Sequence, residues 1–160
     1  QLTGLPNRNL FFDRLDQALA RNVRNQDWLA LMYLDVDRFK QVNDSLGHAV
    51  GDLLLQAFSA RVFTTVRASD TLARLGGDEF SLIAEGLHSP QAAEDLAAKI
   101  VALAASEFVL EDQVIKVGAS IGVAVVNGQR IAADALLEQA DQALYAVKKA
   151  GRNGYRVTLV

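Results

Sequence analysis

The stretch Leu72-Ala73-Arg74-Leu75-Gly76-Gly77-Asp78-Glu79-Phe80-Ser81-Leu82-Ile83 reads as two apolar strands pinched together by two glycines. Gly-Gly between short β-prone runs signals a two-residue hairpin, because both turn residues need a positive φ, which glycine reaches without a Cβ clash. Asp78 and Glu79 are therefore expected at a hairpin tip. Two adjacent acids there are either solvated charge on a turn or part of a site, and the rest of the chain decides between these readings.

The chain has 160 residues, 51% of them hydrophobic, enough for one compact domain over residues 1–160 with a real core. It has no cysteine, which rules out disulfides and thiolate metal sites and favours an intracellular setting. Any metal must bind oxygen or imidazole. The formal charge of -3 offers no global basic field, so no nucleic-acid partner is expected. No apolar run approaches the roughly 18 residues needed to span a bilayer, and no leader opens the chain. It reads as a soluble domain that begins mid-motif, as if cut from something longer.

Working outward, Asn9 to Arg24 has helical spacing in Leu10, Phe11, Leu15, Ala18 and Leu19. Leu29 to Leu34 is almost continuously apolar and ends in Asp35-Val36-Asp37, as a central strand delivering carboxylates at its end would. Phe39, Val42 and Leu46 repeat at helical spacing, Gly47-His48 breaks the pattern, and Leu54, Phe58 and Val62 restart it. Ser89-Pro90 reads as an N-cap with proline at the first helical position. Val114 to Val117 and Ala119 to Val126 read as strands, the second central. A last helix through Leu136, Ala140, Leu144 and Val147 stops at Gly151, before a closing strand at Tyr155 to Val160. Trp28 and Phe108 are expected to pack at strand starts. The chain matches no serine or cysteine nucleophile motif and no P-loop.

An unpaired carboxylate at Asp35, on a strand buried on both faces, would cost several kcal/mol. If that strand lies beside the hairpin, Asp35 and Asp78 converge, and two hard oxygen ligands suit Mg²⁺ at a phosphoryl-transfer centre. The competing reading is a salt bridge from Asp35 to Arg38, Arg74 or Lys40.

The segment Leu34-Asp35-Val36-Asp37-Arg38-Phe39-Lys40-Gln41-Val42-Asn43-Asp44-Ser45-Leu46-Gly47-His48, running on to Gly51-Asp52, together with Arg74-Leu75-Gly76-Gly77-Asp78-Glu79-Phe80, resembles the GGDEF-domain diguanylate cyclase family. Leu2-Thr3-Gly4-Leu5-Pro6-Asn7-Arg8 is similar to the family's opening signature, Ser120-Ile121-Gly122-Val123-Ala124 to its central strand, and Ala140 through Asn153 to its closing helix. The likeness covers essentially the whole chain in order. It implies an α/β sandwich with a central, mostly antiparallel sheet flanked by helices, like nucleotidyl cyclases and polymerase palm domains. It also implies condensation of two GTP molecules into cyclic di-GMP with release of pyrophosphate.

By the same resemblance, Asp35, the Val36 carbonyl and Asp78 would hold two Mg²⁺ ions, with Mn²⁺ as a substitute. Asp78 is the family's candidate general base and Glu79 would orient the site. Asn43 and Asp52 would read the guanine edge. His48 would add a nucleotide contact, against the plainer reading of a histidine closing a helix turn. Lys40, Lys148 and Arg152 would meet the triphosphate, with Lys40 near the leaving group. The plainer reading of Lys148 and Arg152 is favourable charge near a helix C-terminus. Arg67-Ala68-Ser69-Asp70 matches the RxxD pattern of the family's product-inhibition site, against the plainer reading of a local ion pair.

One chain offers one site for one GTP, so a transient homodimer is expected. The wording of Asp44-Ser45-Leu46-Gly47-His48 is similar to cyclases fused to EAL-type phosphodiesterases. The alternative function is thus a GTP- or cyclic di-GMP-binding regulatory domain for an attached EAL domain. Sensory domains are expected elsewhere in the protein. The expected location is the cytoplasm, free or tethered to the inner membrane through segments outside this chain.

Overall fold

The computed structural model describes residues 2–160; Gln1, where the expected domain begins, lies outside the described residues. Helix α1 (Arg8–Asn25) starts where Asn7 Oδ1 accepts the Leu10 N–H at 3.0 Å, satisfying one of the amides a helix start leaves open. It leads into β1 (Trp28–Asp37), then α2 (Phe39–Leu46) and α3 (His48–Phe63). The hairpin is β2 (Thr71–Gly76) and β3 (Glu79–Leu87). Ser89 caps α4 (Pro90–Ala105) with proline leading, as its sequence indicates. Short β4 (Phe108–Leu110) and β5 (Gln113–Ile115) pair with each other, and β6 (Gly118–Val126), α5 (Ala133–Lys149) and β7 (Gly154–Leu159) complete the chain.

The main sheet runs β2-β3-β1-β6-β7, and only the β6–β7 pair is parallel. The two nearly all-apolar strands, β1 and β6, lie side by side in its middle because both of their faces are covered. Met32, Leu34 and Val36 of β1 point into a core with Leu54, Phe58 and Ile100 from α3 and α4. Leu29 and Leu31 point the other way, onto Phe11 and Leu15 of α1 and Leu136 and Ala140 of α5. Period-two alternation carries Tyr33, Asp35 and Asp37 along that second face.

Three expectations need correcting. The turn is Gly77-Asp78 rather than Gly76-Gly77: Arg74 pairs with Phe80 but Gly76 pairs with Glu79, so β2 carries one extra residue. That bulge moves the tip one position on, leaving Asp78 in the turn and Glu79 in the ladder opposite Asp35. Both glycines do take positive φ, 152° and 50°. The strand expected at Val114 to Val117 is the shorter β5, Gln113–Ile115, whereas Phe108 does open a strand, β4, as its sequence indicates. His48 opens α3 instead of closing a turn of α2.

Gly122 sets the position of α5. A Cβ there would stand 2.1 Å from the Ala140 carbonyl oxygen and 2.3 Å from the Leu144 nitrogen, so only glycine lets the helix backbone rest directly on β6. Lys148, one turn beyond Leu144, is thereby brought over the end of β1. Gly122→Ala should force α5 outward at a cost of about 1–3 kcal/mol, the usual scale of overpacking. Thermal unfolding checks this; an unchanged melting temperature would show that α5 is not held by that contact.

Candidate active site

Asp35 lies near the C-terminal end of β1 and is only 8% exposed. Its Oδ2 forms an ion pair with the Lys148 ammonium, so the cation beside it is not Arg38, Arg74 or Lys40. Arg74 instead donates from Nε to the Gly77 carbonyl at 2.9 Å, bracing the hairpin turn. With Asp78 ionised, Asp35 Oδ1 has no hydrogen-bond partner among the described residues. The Val36 N–H donates to the Asp78 carbonyl oxygen at 3.3 Å, which ties the turn to the end of β1. The two acids are therefore neighbours, as their convergence requires. Burial, a hydrogen bond shared with Asp35 and the Asp35 charge push the Asp78 carboxyl up to about 7.

Glu79 receives the Tyr33 hydroxyl on Oε1 at 3.0 Å. Burial, the Glu79 charge and that bond push the Tyr33 phenol up to about 12, so it stays a donor. Among the described residues, no group of three or more histidine, aspartate or glutamate side chains could hold a metal ion. A divalent cation could be held only by two carboxylates, backbone carbonyl oxygen and ligand or water oxygens. That donor set is hard and oxygen-only, and it fits Mg²⁺.

A second orphan lies on α2. Asn43 Oδ1 is buried without a hydrogen-bond partner among the described residues, and a Cβ on Gly51 would fall 1.8 Å from it. Gly51 thus makes room for the Asn43 amide, and Asp52, the next residue of α3, is exposed. His48 and Lys40 are exposed on the first turns of α3 and α2. Helix α2 follows Arg38, which adopts φ 67° and offers no side-chain cap, so the first amides of the helix are open to an anion beside Asp35.

Arg152 lies after α5, with Nη1 4.0 Å from Asp37 Oδ1. Lys148, Arg152, Asp35, Asp78 and Glu79 thus gather at one end of the sheet. Arg67 and Asp70 lie at the far end of β2, about 17 Å away by strand rise. There they form the plain ion pair, at 3.3 Å, and Asp70 also accepts the Arg67 and Glu85 backbone amides. They line a cleft of about 680 Å³ with Arg14, Arg21 and Glu85. The roles of Gly51, Tyr33 and Asp37 at this edge are not legible in the sequence. Only the alternation of Tyr33, Asp35 and Asp37 along one strand face could have flagged two of them.

The raised Asp78 pKa has a direct consequence. Between its unfolded value near 3.8 and about 7 the folded chain keeps a proton that the unfolded chain has released. Stability from this group is therefore present at low pH and lost as pH rises through that window. In chelator, the melting temperature of the wild type should fall by a few degrees relative to Asp78→Asn between about pH 4 and about pH 8. Parallel pH profiles for the two proteins would contradict the assignment.

Residues 1–154 match the family described as "Diguanylate cyclase, GGDEF domain". The chain is 44% identical over 154 residues to the bifunctional diguanylate cyclase/cyclic di-GMP phosphodiesterase MucR of Pseudomonas aeruginosa, covering 96% of this chain and 22% of MucR. The crystal structure of the GGDEF domain of TpbB (YfiN) from Pseudomonas aeruginosa superposes with a TM-score of 0.94 at 37% identity, covering 99% of both chains. The GGDEF domain of DgcB from Caulobacter crescentus, solved in complex with c-di-GMP, gives 0.89 at 29% identity, covering 99% of this chain and 93% of that one. The chain spans about a fifth of MucR and about a third of full-length TpbB. With the family model matched over residues 1–154 and the fold shared with these relatives, the chain belongs to the GGDEF diguanylate cyclase domain family.

Proposed function

We propose that this domain, 1–160, is a diguanylate cyclase that joins two GTP molecules into cyclic di-GMP. The observation that carries this reading is the pair of orphaned buried oxygens, Asp35 Oδ1 and Asn43 Oδ1. An unsatisfied buried acceptor costs about 1–3 kcal/mol, and these two fall on the two points where a cation and a guanine would be received. Asp35, Asp78 and the Val36 carbonyl would hold Mg²⁺, which when bound supplies charge neutralisation at the phosphates and eases loss of the 3′-hydroxyl proton. Glu79, held by Tyr33, orients the acidic edge. Lys40, Lys148 and Arg152 bind the triphosphate together with the first amides of α2. Lys148 leaves Asp35 for the phosphates as the nucleotide arrives. Asn43 and Asp52 read the guanine edge, and His48 adds a contact.

Each 3′-oxygen forms a bond to the other nucleotide's α-phosphorus as the bond to the β-phosphate breaks, releasing two pyrophosphates per product. One domain holds one GTP, so two domains must meet with their acidic edges facing across a two-fold axis. Cyclic di-GMP bound at Arg67 and Asp70 would inhibit by holding the edges apart, since arginine can stack on guanine and aspartate can accept from its N1 and N2 donors. Attached sensory and EAL domains and a cytoplasmic setting complete the reading; among the described residues no helix is long and apolar enough to cross a membrane. A second reading, a nucleotide-binding regulator of an attached EAL phosphodiesterase, draws on the likeness to bifunctional MucR.

Incubation with GTP and Mg²⁺ should yield cyclic di-GMP, with specific activity rising with protein concentration and falling noncompetitively as product is added. Asn43→Ala should lose about tenfold or more in preference for GTP over ATP, and Arg67→Ala should relieve the inhibition without abolishing turnover. Tight GTP binding without product would establish the regulator instead. Unchanged inhibition in Arg67→Ala would return Arg67 and Asp70 to a local structural ion pair.

A further inference from the structure

We propose that Asp37 is a positioning residue for the nucleotide phosphates, holding the Gly151-Arg152-Asn153 turn in the form that presents Arg152. The inference rests on the reading of the site as a nucleotide site. Asp37 lies two residues beyond Asp35 on the same face of β1 and is 5% exposed. A carboxylate so placed must be satisfied, and it is: Oδ1 accepts the Ser120 hydroxyl at 2.7 Å and Oδ2 accepts the Asn153 backbone N–H at 2.9 Å. The contrast with Asp35 is direct. One strand end carries two acids, and only Asp35 keeps an oxygen open. Asp37 has none to offer a cation.

What Asp37 holds is an unusual piece of backbone. Gly151, Arg152 and Asn153 take φ values of 117°, 66° and 49° in succession. Glycine adopts such angles freely, but arginine and asparagine do so only where the surroundings enforce them. The Arg152 N–H closes the end of α5 on the Val147 carbonyl at 3.0 Å, and the next amide, Asn153, is the one Asp37 takes. Opposite Asp37 in the ladder stands Gly118, where a Cβ would meet Asn153 Oδ1 at 2.8 Å and Asp37 Oδ2 at 3.2 Å. The strand is cut away there to admit the turn.

The Arg152 guanidinium, half exposed, lies 4.0 Å from Asp37 Oδ1. It is steered toward the acidic edge and can still reach a phosphate. Asp37 therefore acts through Arg152 rather than on the substrate. Its own charge is tied up in two hydrogen bonds and a cation, which lessens its repulsion of a polyanion close by.

The test is calorimetric titration with a non-hydrolysable GTP analogue and Mg²⁺. The proteins are wild type, Asp37→Ala, Asp37→Asn, Arg152→Ala and the double variant Asp37→Ala/Arg152→Ala, with amide exchange followed at Asn153. Asp37→Ala and Arg152→Ala should each weaken binding by about tenfold, and the double variant should be no weaker than Arg152→Ala within about twofold. Asp37→Asn, whose turned amide can still accept from Asn153 and donate to Ser120, should keep most of the affinity and the Asn153 protection that Asp37→Ala loses. Because that variant keeps both bonds, it also covers the case in which Asp37→Ala fails to fold. Additive losses, full affinity in Asp37→Ala, or an Asp37→Asn as weak as Asp37→Ala would each overturn the proposal. Failure of the wild type to bind any guanine nucleotide would overturn it together with the functional reading, whereas normal wild-type binding with additive losses overturns it alone.

Discussion

A buried carboxylate with one oxygen unanswered, Asp35 at the end of β1, is the constraint that organises the acidic edge. Burying a charge is costly unless partners replace its water. The fold supplies part of the answer from far along the chain, because Gly122 lets α5 settle on β6 and bring Lys148 to Asp35. It then adds to the problem: the bulged hairpin sets a second acid, Asp78, beside the first, and burial first, with the Asp35 contact after it, raises the pKa of that acid. Two acids kept together against their mutual repulsion make sense if a divalent cation relieves both at once.

The rest of the edge lies on the two helices that follow β1. The open amides of α2 lie directly after β1, and the amide of Asn43, housed by Gly51, lies one further turn along that helix. Cation, phosphates and base can be met in sequence by one strand end and the two helices that follow it. On the proposed reading one edge receives one nucleotide, so a two-nucleotide product would call for a second copy of the domain rather than a larger pocket.

The order of elements was legible because it depends on local features. Continuous apolar runs in β1 and β6 mark strands covered on both faces, and Asn7, Ser89 and Pro90 mark helix starts. The convergence of Asp35 with Asp78 was legible once the hairpin was placed beside β1. What escaped depends on distant or register-level contacts. The shift of the turn to Gly77-Asp78 comes from one extra residue in β2, which the glycine pair hides. The Asp35 partner is Lys148, from the opposite end of the chain, so neighbours such as Arg38 and Lys40 were the wrong candidates. Asp37 is legible in the sequence only as a strand-end carboxylate, and its role shows in its bonds to Ser120 and Asn153, distant in the chain.

The central claim is that Asp35 Oδ1 is left open for a cation. Crystals grown with Mn²⁺ and a non-hydrolysable GTP analogue test it most directly, through the anomalous signal of the metal. The account predicts a peak at coordination distance, about 2.0–2.3 Å, from Asp35 Oδ1 and an Asp78 carboxylate oxygen, with the Lys148 ammonium moved to the phosphates. Bound nucleotide with no metal at Asp35, and Lys148 still paired to it, would contradict the account.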